Sequence, residues 1–159
     1  MAAVPAPPQQ LDAWVAFLRS HAAIIRELSA NLQRQHDLTL NDYEVLLHLA
    51  HSEHGMLRRV DLAERVLLTA SGITRLLDGL ERGGYVEKAT CETDARVSYA
   101  KLTEHGRRKL REAAVTHLAD IDDYFTSRYS ESELATLADL LSRLPTTGGN
   151  TDCAPEPCS

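Results

Sequence analysis

Between Thr69 and Arg75 the chain reads Thr-Ala-Ser-Gly-Ile-Thr-Arg. A residue able to cap a helix, Thr69, precedes three small ones, Ala70, Ser71 and Gly72. Thr74 and Arg75 follow. A helix beginning here offers unpaired backbone N–H groups that favour phosphate, and its small side chains permit close approach. Ser71, Thr74 and Arg75 can reach phosphates or base edges, and arginine is the best reader of guanine. The chemistry implied is recognition of a polyanion. Alone, the same pattern would also describe any well-capped surface helix.

A pair lies 19 and 21 residues after Arg75, where Asp94 and Arg96 stand two apart. Arg96 can enter a minor groove, where negative potential is concentrated. Asp94 can hold that arginine or brace a turn through its own backbone. As a bare surface ion pair the two would contribute only about 0–1 kcal/mol. Arg58 and Lys88, with Arg59 and Lys101, are further candidates for phosphate contact, although each singly could be a solvated charge.

Other chemistry is thinly represented. His48, His51 and His54 recur every third residue, but a spacing of four makes the better helical chelate, so no metal site is expected. Cys91, Cys153 and Cys158 are an odd count and form no disulfide framework. Oxidation of Cys91 could disturb its surroundings, though an incidental thiol is the simpler reading. No nucleophile–base motif or glycine-rich phosphate loop is present, so neither enzymatic activity nor a cofactor is expected.

The elements that must position these residues follow from the pattern around them. A short helix is expected from about Arg58 to Val66, then a turn, then a second helix from Ala70 to Arg82 ended by Gly83-Gly84. Two β-stretches follow, Tyr85 to Ala89 and Arg96 to Leu102, joined by a polar hairpin. Helix, turn, helix and hairpin make a winged helix-turn-helix, which sets one helix in the major groove and the hairpin tip over the neighbouring backbone or minor groove. The predicted class is mainly α (α+β).

Long helices bracket that unit. The first, about Gln9 to Gln35, carries Leu11, Trp14, Val15, Leu18, Ala22, Ile25, Leu28 and Leu32 at spacings of three and four. A second runs from about Asn41 to His54, with Thr39 and Asp42 at capping-box spacing and Gly55 ending it. After the wing, Thr103 caps a helix to about Arg128 whose apolar positions are Leu110, Ala114, Leu118, Ile121 and Phe125. Ser130 and Glu133 start a last helix, which Pro145 stops. So small a domain cannot cover all these stripes. A two-fold homodimer is expected, formed by segments 9–36 and 104–145, with 56–103 as the DNA-binding unit. Residues 1–8 and 146–159 read as flexible tails.

The bulk composition agrees. The 159 residues hold 43% hydrophobic residues and a net charge of −6. The acidity is unevenly spread: Met56–Lys109 holds 11 basic against 8 acidic residues, the remainder 6 against 15. The basic charge sits on the reading unit, and the acidic remainder would help orient approach to DNA. No apolar run is long enough to span a membrane, and MAAVPAPPQQ lacks the basic and apolar regions of a secretory signal. A cytoplasmic protein is expected.

The chain resembles the MarR family of bacterial transcription regulators from about Leu11 to Leu144. The resemblance rests on Val60-Asp61-Leu62-Ala63, on Ser71-Gly72-Ile73-Thr74-Arg75-Leu76-Leu77-Asp78, and on Leu80 to Lys88. It continues through Asp94-Ala95-Arg96 to Leu102-Thr103-Glu104-His105-Gly106. It implies a homodimer on a pseudo-palindromic site in double-stranded DNA, most often a repressor released by a small aromatic or phenolic ligand or by oxidants. Family pockets lie between the dimer helices and the winged unit, which here points to Trp14, Phe17, His21, Tyr43, Leu47 and His117. Redox sensors of the family usually carry a cysteine in the first helix, and this chain has none there. Glu104-His105 is similar to the start of a zinc site in some members, but Lys109 stands where the next ligand would be. Two departures stand out: Ala95 replaces a common arginine in the wing, and Gly79 stands where a charged residue is frequent. The alternatives are a winged-helix module that binds protein, and a redox-responsive regulator using Cys91.

Overall fold

A computed structural model describes residues 11–90 and 97–145. Its elements run α1 (Leu11–His36), α2 (Leu40–His51), β1 (Met56–Arg58), α3 (Arg59–Arg65), α4 (Ala70–Arg82), β2 (Val86–Thr90), β3 (Ser98–Leu102), α5 (Glu104–Tyr124) and α6 (Glu131–Ser142). The strands form an antiparallel sheet in the order β1-β3-β2. Helices with a small three-stranded sheet give the winged helix-turn-helix. None of the helices described is long and apolar enough to cross a membrane.

Side-chain caps set where the helices begin. Thr39 Oγ1 accepts from Asp42 N at 3.1 Å while Asp42 accepts from Thr39 N at 2.8 Å, closing the expected box. Ser130 and Glu133 do the same for α6. Thr103 Oγ1 caps α5 by accepting from Gly106 N, and its hydroxyl donates to Gly84 O at 2.7 Å, tying α5 to the end of α4. Gly106 permits this close seating, since a Cβ there would lie 2.1 Å from the Tyr85 carbonyl oxygen.

The core sits in the winged unit and its two supports. Leu32, Leu38, Val45, Leu46, Leu49, Leu62 and Leu77 are fully enclosed, and Leu57, Ile73, Leu80, Val86, Ala100, Leu102, Leu110 and Ala113 join them. The C-terminal third of α1 contributes Leu28 and Leu32, while Leu11, Trp14, Val15 and Leu18 are exposed. No residue of α6 is buried.

Several boundaries differ from expectation. Helix α2 ends at His51, not His54, because Ser52 turns back and its Oγ donates to Leu49 O at 2.7 Å. A single 3₁₀ turn follows, with His54 and Gly55 at φ of 57° and 68°, and redirects the chain into β1. Strand β1 was not expected. Three residues are too few to show alternation, and β1 exists through pairing with the distant segment 99–101. Helix α3 consequently starts at Arg59. Strand β2 begins at Val86 and β3 at Ser98.

Helix α5 stops at Tyr124, four residues early. Phe125 leaves helical geometry to pack edge-on against Tyr129 at 5.6 Å, and Arg128 donates to Tyr124 O and Asp123 O, capping the end. The face α5 turns inward is Leu110, Ala113 and His117, so Leu118, expected on the apolar stripe, points outward with Val115.

Candidate nucleic-acid interface

Helix α4 is held by one face and bare on the other. Ile73, Leu77 and Leu80 are buried, and Leu76 packs against them. Directly opposite run Ser71, Arg75 and Arg82, all exposed. Thr69 Oγ1 caps the helix by accepting from Gly72 N at 3.1 Å, and Ile73 N donates to Thr69 O. The amides of Ala70 and Ser71 remain without a partner among the described residues, so two N–H donors face outward at the positive end of the helix. Thr74 Oγ1 donates to Ala70 O at 2.8 Å, which ties its hydroxyl to its own helix.

The basic side chains around α4 fall into two groups. Arg58 is bound in a fork to Asp61, at 2.8 and 3.0 Å. Lys88 Nζ lies 3.3 Å from Glu81 and 4.0 Å from Asp78, and Arg59 shares Asp78 from the other side at 4.0 Å. Lys101 pairs with Glu87 at 3.2 Å. These residues brace α3, α4 and the wing strand β2 against one another. Arg58 and Lys88 are thus already engaged within the chain, through partly exposed pairs weak enough to be exchanged. Arg75 and Arg82 have no carboxylate partner among the described residues.

Arg82 is not among the expected contacts, yet its spacing from Arg75 places it on the same exposed face. Seven residues beyond Arg75 is about two helical turns, which returns to the same face within about 20°. Asp94 and Arg96 lie outside the described residues, with Cys91 and Ala95.

The six residues assigned to a ligand pocket form two groups within one chain. Trp14, Phe17 and His21 line up on the exposed start of α1, with ring centroids 6.2 and 6.1 Å apart. Tyr43 and His117 meet at 4.6 Å in the α2–α5 seam, next to the bond between His36 Nε2 and Thr116 Oγ1 at 2.8 Å, and Leu47 is half-buried on α2. At about 1.5 Å per residue, α1 separates its aromatic end from His36 by roughly 22–33 Å, so the groups cannot face one ligand in a single chain. An open crevice of about 310 Å³ between α1 and the end of α5, lined by Ile24, Glu27, Tyr124 and Phe125 among others, includes none of the six.

His117 is buried, and its Nδ1 has no hydrogen-bond partner; Asp120 Oδ2 on the same helix is likewise enclosed and unpartnered. Burial holds the His117 imidazole below its ordinary pKa, opposed in part by the Asp120 carboxylate. Burial also lowers His48, aided by the charges of Arg65 and His51. The three histidines of the α2 region do not share a face, since His54 lies in the 3₁₀ turn. His105 stacks on Tyr85 at 4.9 Å. Among the described residues no group of three or more His, Cys, Asp or Glu is placed to hold a metal ion.

A family model described as MarR family matches residues 36–97. An HTH-type transcriptional regulator of Bacillus cereus is 30% identical over 118 residues, which span 74% of this chain and 77% of that protein. The crystal structure of AbsC, a MarR family transcriptional regulator from Streptomyces coelicolor, matches with a TM-score of 0.79 at 29% identity, over 87% of this chain and 93% of that one. Sco3205 from the same organism, solved in complex with DNA, matches at 0.81 and 23% identity, over 89% of this chain and 88% of that one. At that identity the likeness concerns the fold.

Proposed function

The chain belongs to the MarR family of DNA-binding transcription regulators, which are not enzymes, and on that premise we propose that two copies clasp through α1, α5 and α6 to form a homodimeric repressor. Each copy sets α4 into the major groove at one half of a pseudo-palindromic operator, the two helices lying about one duplex turn apart. The observation that carries this reading is the α4 ridge: free amides at Ala70 and Ser71 and an unpaired Arg75, set opposite the buried Ile73, Leu77 and Leu80. The uncovered apolar residues of α1 and α6 support the dimer. The unpartnered Nδ1 of His117 beside Tyr43 supports an effector that is an aromatic acid or phenol, bound where the arms meet the winged unit.

The test is binding to a duplex recovered from a random pool by the wild-type protein, measured against salt by fluorescence anisotropy. Affinity should fall steeply as salt rises. Arg75→Ala should cost about 1–3 kcal/mol and relax the preference for the selected sequence over an unrelated one. A wild-type protein that enriches no sequence and binds no duplex would remove the reading.

A further inference from the structure

A guanidinium lies beside Gly79. A Cβ built on Gly79 would meet Arg82 Nη2 at 3.9 Å, an ordinary van der Waals contact, as its one neighbour within 4 Å apart from the adjoining residues and the helix's own backbone. Arg82 therefore folds back along α4 by about one turn, and its charge lies over residue 79, not beyond the end of the helix. It is exposed and has no carboxylate partner among the described residues, although Asp78 and Glu81 stand on the same helix. Both of those carboxylates are taken up by Arg59 and Lys88 on the flank. That arrangement keeps the ridge free of negative neighbours that would neutralise Arg82.

We propose that Arg82, laid in the notch at Gly79, is a second DNA contact of α4 and clamps a backbone phosphate beside the bases that Arg75 reaches. This rests on the DNA-binding reading above and deepens it. Gly79 has two effects here. It removes the side chain that would stand between α4 and a sugar–phosphate strand, and it gives the guanidinium of Arg82 a place level with that strand. The ridge then presents two positive charges of different function. Arg75 lies in the half of the helix that begins with the exposed amides. Arg82 lies toward the C-terminal end, where the helix dipole favours a cation. A phosphate contact positions without reading sequence, so its loss should weaken selected and unrelated duplexes alike.

The experiment compares wild type, Arg82→Ala, Arg82→Lys, Arg75→Ala and, as a control on α5, Arg111→Ala. The probes are the duplex selected by the wild-type protein and an unrelated duplex of equal length, each titrated across a salt series. Thermal melts establish that every variant is folded. Arg82→Ala should lose affinity about tenfold at low salt on both duplexes, and the salt slope should shrink by about 1 per protomer. Arg82→Lys, which keeps the charge, should retain most of the slope. Arg111→Ala should behave as wild type. The proposal is overturned if Arg82→Ala matches wild type in affinity and slope while Arg75→Ala loses binding. It is also overturned if Arg82→Ala changes sequence preference, which would make Arg82 a base reader. A wild-type protein that fails to bind either duplex would bring down the DNA reading itself, a result distinct from both.

Discussion

The winged unit and the terminal helices are built from similarly apolar sequence, yet one is sealed and the other is bare. Leu62 and Leu77 have no exposed surface, whereas Trp14 is 54% exposed and Leu140 48%. Both regions hold capped helices: Thr69 caps α4, and α6 has a complete capping box and no buried residue. Local helix signals therefore do not distinguish them. What differs is whether the apolar face meets another element of the same chain. A helix of twelve residues draws most of its stability from packing on that face, and α6 and the first half of α1 have little such packing among the described residues.

The largest expected effect breaks the sealed side. Leu77→Ala should cost about 2–5 kcal/mol in chemical denaturation, through lost burial and the cavity left behind. Leu140→Ala, on the bare side, should leave the denaturation of the winged unit close to wild type and instead shift the dependence of oligomeric mass on protein concentration. Light scattering across a dilution series reads the second, and urea melts read the first. If Leu140→Ala cost as much as Leu77→Ala without changing mass, the division between the two regions would be wrong.

The sequence made the sealed region easy to read and the joints hard. Residues Ala70–Arg82 form the expected helix because Thr69 caps it, Gly83 and Gly84 end it, and its apolar spacing has a single solution. The end of α2 was misplaced because Ser52 captures a carbonyl that a continuing helix would have used, and a hydroxyl's choice of partner leaves no periodic trace. Strand β1 was invisible because its reason for existing lies some forty residues away. The inward face of α5 was partly legible: Leu110 and Ala114 of the expected stripe meet the core, while His117, which no apolar pattern marks, goes in against Tyr43. On α4, the cap by Thr69 and the outward setting of Ser71 and Arg75 were legible from type and spacing. The engagement of Arg58 and Lys88 by carboxylates was not, because it depends on how α3 and β2 pack on α4.

The joint between the two regions carries a smaller, pH-dependent effect. His117 sits between α2 and α5 with its pKa held down by burial, and His48 is shifted the same way. A histidine whose folded-state pKa lies below its unfolded value binds protons more readily in the unfolded chain. Its contribution is complete above the unfolded value of about 6.5 and is lost as pH falls through that value toward the folded one. Melting temperature should therefore drop between pH 7.5 and 5.5. His117→Phe keeps a ring against Tyr43 and removes the unpartnered Nδ1. It should melt no lower than wild type at pH 7.5 and show a smaller drop on acidification, the remainder coming from His48. An unchanged pH dependence would mean that His117 is already protonated or accessible in the folded protein.

The smallest expected effect sharpens the comparison from inside the sealed unit, at its one outward-facing leucine in the helix-turn-helix turn. Leu67 stands between α3 and α4 at φ 55° and is 66% exposed, so it has a left-handed backbone and little burial to offset it. A side chain in that region costs roughly 1–2 kcal/mol relative to glycine, part of which glycine returns through its greater freedom in the unfolded chain. Leu67→Gly should then raise stability by up to about 1 kcal/mol, read as a higher urea midpoint with an unchanged slope. The same change on a residue that packed inward would lower the midpoint. A loss of stability in Leu67→Gly would show that the leucine is held by contacts that form only when the arms of a second copy, or DNA, close over the turn. In that case the loss should depend on protein concentration or on added duplex, and measuring the midpoint under both conditions separates backbone strain from missing burial.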